Sequence, residues 1–170
     1  MEGGQARGGA VGGGPGGKES GMRIALASDH AGYDLKAGLA EFLRGQGIPF
    51  EDYGCGPGET VDYVDFGARA ARGVVEGACD RAILVCGTGL GMGIVANKFK
   101  GVRATPCATE YATEMSRKHN DSNCLTLGGR THSLELAVRL VRIWLETPFE
   151  GGRHAGRVQK IRALEEANFK

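Results

Sequence analysis

The chain has 170 residues, 41% hydrophobic and 24% charged, with 21 Lys and Arg against 20 Asp and Glu. That is apolar surface enough for one domain core, and a formal net charge of +1 excludes the basic footprint of a nucleic-acid or membrane-surface binder. Five cysteines without a CxxC pair or a Cys/His zinc spacing, no secretory signal and no apolar stretch of membrane-span length make the reducing cytoplasm the expected compartment.

Residues 1–21 hold ten glycines and almost no large apolar side chain. Such a composition cannot offset its ordering entropy, so a disordered Gly-rich tail is expected there and a single domain over 22–170. From Met22 the pattern becomes regular. Residues 23–28 read as a strand, closed by Asp29-His30-Ala31-Gly32. Tyr33 to Arg44 follows as a helix with Leu35, Leu39, Phe42 and Leu43 on one face, stopped by Gly45 and Gly47. Ile48 to Tyr53 reads as a second strand, and Pro49 near its start suits an edge or strand-entry position. Asp62 to Val75 is an Ala-rich helix.

The next stretch, Arg81 to Lys98, dominates the chain. A short apolar run, Ala82 to Val85, ends in Cys86, and glycines then alternate at 87, 89, 91 and 93 before a segment that can be helical. A continuous apolar run bounded by Gly reads as a strand buried on both faces. The glycines let backbone N–H groups approach a ligand, and a helix start behind them favours an anion and a thiolate. Read alone, Cys86 is equally an inert core thiol in a glycine-rich turn. The third glycine is one residue out of register for a dinucleotide fingerprint, and no Gly-Lys-Ser/Thr triplet completes a P-loop, which disfavours a nucleotide-binding module.

Val102 to Cys107 reads as a fourth strand, Thr109 to Lys118 as a helix and Asn123 to Leu127 as a fifth strand closed by Gly128-Gly129-Arg130. Ser133 is placed as the N-cap of a helix to about Glu146, and a last helix runs from about Arg153 to Asn168. The alternation predicts an α/β three-layer sandwich, a five-stranded parallel sheet with helices on both faces. The last helix is extra to that sandwich, and its thin stripe of Val158, Ile161 and Leu164 points to packing against another subunit.

Ligands bind such sheets outside the carboxyl ends of the strands. This gathers Asp29, His30, Cys86 to Gly91 and Arg130. His119-Asn120 precede the fifth strand, so the rule does not place them. Each candidate also has a plain structural reading. Asp29-His30 is an acid–base pair or a helix cap with an exposed His, and His119-Asn120-Asp121 is a polar site or a helix end and turn. Asp62-Tyr63 is a site or a cap. Arg153 and Arg157, four apart on one helix face, are a phosphate clamp or a solvated basic face. Together the set suits proton transfer beside a carbonyl on a phosphorylated small molecule.

In order along the chain stand Ser28-Asp29-His30-Ala31-Gly32, Asp62-Tyr63, Cys86-Gly87-Thr88-Gly89-Leu90-Gly91, Ala96-Asn97-Lys98, residues 116–121, Gly128-Gly129-Arg130, and Glu150-Gly151-Gly152-Arg153-His154 through Arg157. With these motifs, from Met22 to about Phe169, the chain closely resembles the type B ribose-5-phosphate isomerase family, which also contains galactose-6-phosphate and allose-6-phosphate isomerases. The resemblance implies a Rossmann-like sandwich and a homodimer, with pairing of dimers into tetramers left open, and no metal or other cofactor. It implies interconversion of ribose 5-phosphate and ribulose 5-phosphate through a cis-enediol(ate), with Cys86 as base. By the same likeness Thr88 and the N–H groups of Gly87, Gly89 and Gly91 stabilise the enediolate, and Asp29 and His119 open the furanose ring. Tyr63 and Asn120 hold sugar hydroxyls; Arg153 and Arg157, with His30 and Arg130, bind the phosphate. His119, Asn120 and the two C-terminal arginines are expected from the partner subunit. Relatives that use a glutamate base carry it where Met92 stands here, which fits the cysteine subtype. Competing readings are a hexose-6-phosphate isomerase of the same family and a non-catalytic sugar-phosphate-binding regulator.

Overall fold

A computed structural model describes residues 21–169. The expected tail over 1–21 therefore lies, Gly21 apart, outside the described residues. The strands are β1 (Ile24–Ser28), β2 (Phe50–Gly54), β3 (Arg81–Cys86), β4 (Ala104–Pro106) and β5 (Cys124–Gly128). The helices are α1 (Tyr33–Gly45), α2 (Tyr63–Val75), α3 (Leu90–Ala96), α4 (Glu110–Lys118), α5 (Leu134–Glu146) and α6 (Arg153–Asn168), and a 3-10 turn over His30–Gly32 precedes α1.

All five strands pair parallel in the order β2-β1-β3-β5-β4. The expected α/β, Rossmann-like sandwich is thus the fold. The three central strands are the continuous apolar ones, buried along almost their whole length because a helix layer covers each face. One layer packs Leu35, Leu39 and Leu43 of α1 and Leu140, Val141 and Trp144 of α5 against Ile24, Leu26, Ile83 and Leu125. The other layer is thinner. Ala70, Ala71, Met92 and Ala96 of α2 and α3 pack against Ala25, Ala27, Ala82 and Leu84; small residues on both sides let these elements approach closely.

The helix starts follow from their caps. Asp62 accepts the Val64 N–H at 2.9 Å, Thr109 that of Ala112 at 3.2 Å and Ser133 that of Leu136 at 3.2 Å. Pro49 sits just before β2, which is indeed an edge strand. The strand begins two residues later than the sequence pattern implies, because Ile48 still donates to the Leu43 carbonyl of the helix turn at 3.0 Å.

The fourth strand is three residues long, where the sequence predicts six. Side chains take over its edge. Asn97 accepts the Ala104 N–H at 2.8 Å and donates to the Ala104 carbonyl at 2.9 Å, and Asn123 accepts the Arg103 N–H at 2.7 Å. Pro106 has no N–H to continue the ladder. Two of the three residues of the apolar stripe on α6 face outward: Val158 is buried, whereas Ile161 and Leu164 are 38% and 62% exposed. Leu164, Ile161 and Phe169 line one wall of a groove of about 530 Å³ whose other wall is β4 with Asn97 and Asn120.

Candidate active site

Three loops meet at the carboxyl ends of β1, β3 and β5. The Asp29 N–H donates to the Val85 carbonyl at 3.1 Å, the Gly129 N–H to the Cys86 carbonyl at 2.7 Å and the Arg130 N–H to the Gly87 carbonyl at 3.0 Å. Glycine is required for this closeness. A Cβ on Gly32 would lie 2.6 Å from the Val85 carbonyl oxygen. Gly89 adopts φ +83°, open to glycine at no steric cost, and a Cβ there would stand 2.9 Å from the Leu127 carbonyl carbon.

Cys86 ends β3 with its sulfur almost buried, and Sγ accepts the backbone N–H of Gly89, the N-cap of α3, at 3.2 Å. Charged acceptors make the stronger hydrogen bonds. The helix behind the loop is only seven residues, so the anion-favouring element is this individual N–H rather than a long helix dipole. That same N–H was expected among the donors to a bound oxyanion; here it is turned onto sulfur. Thr88 is exposed, and its hydroxyl accepts the Leu90 N–H at 3.4 Å. The Gly91 backbone lies against the Tyr63 ring: a Cβ on Gly91 would come within 2.7 Å of Tyr63 Cε2. Arg130 folds back over Gly87, where a Cβ would be 3.5 Å from the Arg130 Nη1.

Asp29 is 6% exposed and caps the turn after β1, accepting the Gly32 N–H at 3.0 Å. The capping reading and the site reading are thus compatible at this residue. His30 is exposed and meets the Val61 carbonyl through Nδ1 at 3.1 Å, joining this turn to the loop before α2. That loop is anchored by the buried amine of Lys36, which donates to both Asp52 oxygens at 2.9 and 2.7 Å and to the carbonyls of Gly54 and Cys55 at 2.7 and 2.9 Å. One rim therefore collects Asp29, His30, Tyr63, Cys86, Gly87, Thr88, Gly89, Gly91 and Arg130. Met92 lies beneath it, fully buried, with its sulfur packed toward Gly67 of α2.

The other four candidates are elsewhere. Because β4 and β5 are parallel, α4 must run back across the sheet, and His119 and Asn120 emerge at the amino end of β5. Cys86 pairs with Gly128 at its carboxyl end, so the two groups are separated by at least the length of that strand, roughly 13 Å at 3.3 Å per residue. Arg153 and Arg157 start α6 on the same side as His119, since the Glu150 N–H donates to the Lys118 carbonyl at 3.1 Å. Both arginines are exposed and form no ion pair among the described residues.

This second cluster is ordered by Arg103, which sequence reasoning passed over, and by Arg117 and Asp121, whose motif it named without this pairing. Asp121, in a left-handed conformation with φ +47°, pairs with Arg103 at 2.9 Å and Arg117 at 3.0 Å, and Arg103 Nε donates to the carbonyls of Asn120 and Asp121 at 3.1 and 2.9 Å. The His119 ring stacks on that of His154, centroids 4.1 Å apart and planes within 7°. Glu150 Oε2 lies 4.0 Å from His119 Nε2 and 3.7 Å from His154 Nε2. These three side chains have the make-up of a metal site, but each imidazole lone pair lies in its own ring plane. Two stacked parallel rings cannot aim both at one ion about 2 Å away without unstacking. The Glu150–His154 spacing was visible in the sequence; that it closes across Gly151-Gly152 onto His119 was not.

The Ribose/Galactose Isomerase family profile matches residues 24–161. The chain is 42% identical over 144 residues to ribose-5-phosphate isomerase B of Escherichia coli, covering 85% of this chain and 97% of that one. It is 40% identical over 141 residues to the D-erythrulose-4-phosphate isomerase of Pectobacterium atrosepticum, covering 82% and 93%. Among solved structures, ribose-5-phosphate isomerase B of Clostridium thermocellum superposes with a TM-score of 0.84 at 49% identity, covering 86% of this chain and 99% of that one. Fold, length and sequence agree across these relatives, and the chain belongs to the Ribose/Galactose Isomerase family.

Proposed function

We propose that the protein is an aldose–ketose isomerase that interconverts ribose 5-phosphate and ribulose 5-phosphate, with Cys86 as the base. The observation that carries this is the single rim on which Cys86, with an N–H on its sulfur, faces Asp29, Tyr63, Arg130 and the glycine-rich backbone. On the open-chain aldose the Cys86 thiolate takes the proton from C2, a C1–C2 double bond forms and the electron pair moves onto O1. The N–H groups of Gly87 and Gly91, with the Thr88 hydroxyl, face that charge. A proton passes from O2 to O1, and the thiol returns the first proton to C1, giving the ketose and the free thiolate. Nothing is gained or lost, and no step needs a metal or other cofactor.

Ring opening is assigned to Asp29 and His119, contact with sugar hydroxyls to Tyr63 and Asn120, and the phosphate to Arg153, Arg157, Arg130 and His30. Since His119, Asn120 and the α6 arginines lie at the opposite end of the sheet from Cys86 within one protomer, the complete site is assigned to a homodimer in which each copy completes the other. The five free cysteines fit a cytoplasmic protein, and no described helix is long and apolar enough to cross a membrane.

A second reading has specific support. The tetrose-phosphate relative is almost as similar to this chain as the Escherichia coli pentose-phosphate enzyme, so a shorter substrate, D-erythrulose 4-phosphate, belongs in the assay. Purified protein is tested on ribose 5-phosphate, D-erythrulose 4-phosphate, allose 6-phosphate and galactose 6-phosphate, with and without a chelator. Chelator-insensitive turnover favouring the pentose supports the proposal. Preference for another sugar phosphate reassigns the substrate, and no turnover of any leaves a sugar-phosphate-binding regulator.

A further inference from the structure

The His119–His154 stack contains a buried group that the reaction does not use. His154 is 3% exposed, and its Nδ1 is buried with no hydrogen-bond partner among the described residues. A leucine or phenylalanine would fill such a place without stranding a polar atom, so the imidazole calls for an explanation. Its Nε2 accepts the Arg153 Nε–H at 3.4 Å, which puts the ring proton on the buried Nδ1 and leaves the ring neutral. Its whole flat face lies on His119 at 4.1 Å.

We propose that His154 is a positioning residue for His119: a buried, uncharged plate that fixes the plane of the His119 ring and leaves proton uptake and release to His119 alone. The proposal rests on the role assigned to His119 above. The charged groups around the pair are Arg153 and Arg157 of α6, Glu150 of the preceding loop, and Lys118 of α4, itself paired with Glu114 at 2.6 Å. Burial, His119 and the two arginines all push the His154 pKa down, and only Glu150 opposes them. A neutral ring of this kind accepts a cation on its face, whereas two imidazolium rings in contact would repel. The stack therefore tolerates one proton at most, and its surroundings disfavour that proton on His154. The ring of His119 is about one-third exposed, that of His154 almost wholly covered.

The substrates themselves supply the discriminating test. Ribose 5-phosphate closes to a furanose that must be opened, whereas ribulose 5-phosphate has its 5-oxygen esterified and cannot close in that way. In the full chain, His154→Ala is expected to lower kcat on ribose 5-phosphate about tenfold or more with KM within about twofold, while enzyme-catalysed exchange of the ketose C1 proton with solvent deuterium, which needs no ring opening, stays within about threefold. His154→Phe keeps the plate and is expected to hold forward kcat within about threefold. His119→Asn serves as the reference for loss of ring opening, and thermal melts establish that each variant is folded. The proposal falls if folded His154→Ala turns over normally. It also falls if that variant raises KM alone, which would mean the ring acts through the arginine clamp, or if the ketose proton exchange falls as far as the turnover. Imidazole titrations by NMR decide it independently: the His154 midpoint is expected below the ordinary histidine value, and an ordinary titration of His154 overturns the proposal. Were the wild type inert on both sugars, the functional reading would fall and the titrations would still decide the pairing.

Discussion

Cys86 and Gly89 form the smallest unit of the site, since the glycine N–H is given to the sulfur and nothing but glycine fits its backbone. Gly89→Ala would hold a side chain at φ +83° and press its Cβ against the Leu127 backbone; a loss of about 1–3 kcal/mol is expected from denaturant unfolding, together with a fall in turnover. Cys86→Ala removes the proposed base. Turnover is expected to drop by about 10² to 10⁴ with the melting curve unchanged, and near-normal turnover in a folded variant would remove the thiol from the mechanism. His154 makes a prediction about pH. Its pKa is lower in the folded chain than the ordinary histidine value, so protonation favours the unfolded state. Stability is then retained above about pH 6.5 and declines as pH falls below it. The melting temperature of the wild type should fall in that acidic window, and His154→Phe should flatten the decline.

At the level of elements, the Ala96-Asn97-Lys98 motif has a structural role that the resemblance did not assign. Asn97 behaves as one residue of an absent strand, accepting from and donating to Ala104 on the short edge strand β4. Asn97→Ala is expected to cost about 1–3 kcal/mol in denaturant unfolding, because two backbone groups lose their partner; an unchanged midpoint would show that water replaces the side chain. Element type and order were legible because periodicity reports local facing. Buried strands are continuous apolar runs, and caps are single residues such as Asp62, Thr109 and Ser133. Lengths failed where a distant side chain replaced the ladder, as at β4, or where a helix turn ran on, as before β2.

For the molecule as a whole, the division of the site between two ends of the sheet leads to a sharp test. Cys86→Ala and His119→Asn are each expected to be nearly inactive alone. If the protein is the proposed homodimer, the two variants mixed at equal amounts and reassorted should recover about a quarter of wild-type activity, because half the dimers would be mixed and each would have one intact site. No recovery would mean that one protomer supplies its own His119 through a rearrangement. Leu90 and Ile94 on α3, 56% and 64% exposed beside the glycine loop, form an apolar pair four residues apart that an approaching copy would cover. Ile94→Glu should shift the protein toward monomer in sedimentation and reduce turnover in parallel.

The sequence by itself determined the alternation of strands and helices, the parallel sheet, the glycine turn bearing Cys86 and the family. All of these are written in short-range pattern: apolar runs, caps and glycine spacing. It also named the residues of both clusters, but not their arrangement. That His119, Asn120, Arg153 and Arg157 stand a strand's length from Cys86 depends on the return path of α4. That His154 is buried under His119, and that Asn97 closes a sheet edge, depends on how α6 and β4 dock. These are contacts between residues far apart in the chain, and local periodicity carries no record of which distant surface a side chain will meet.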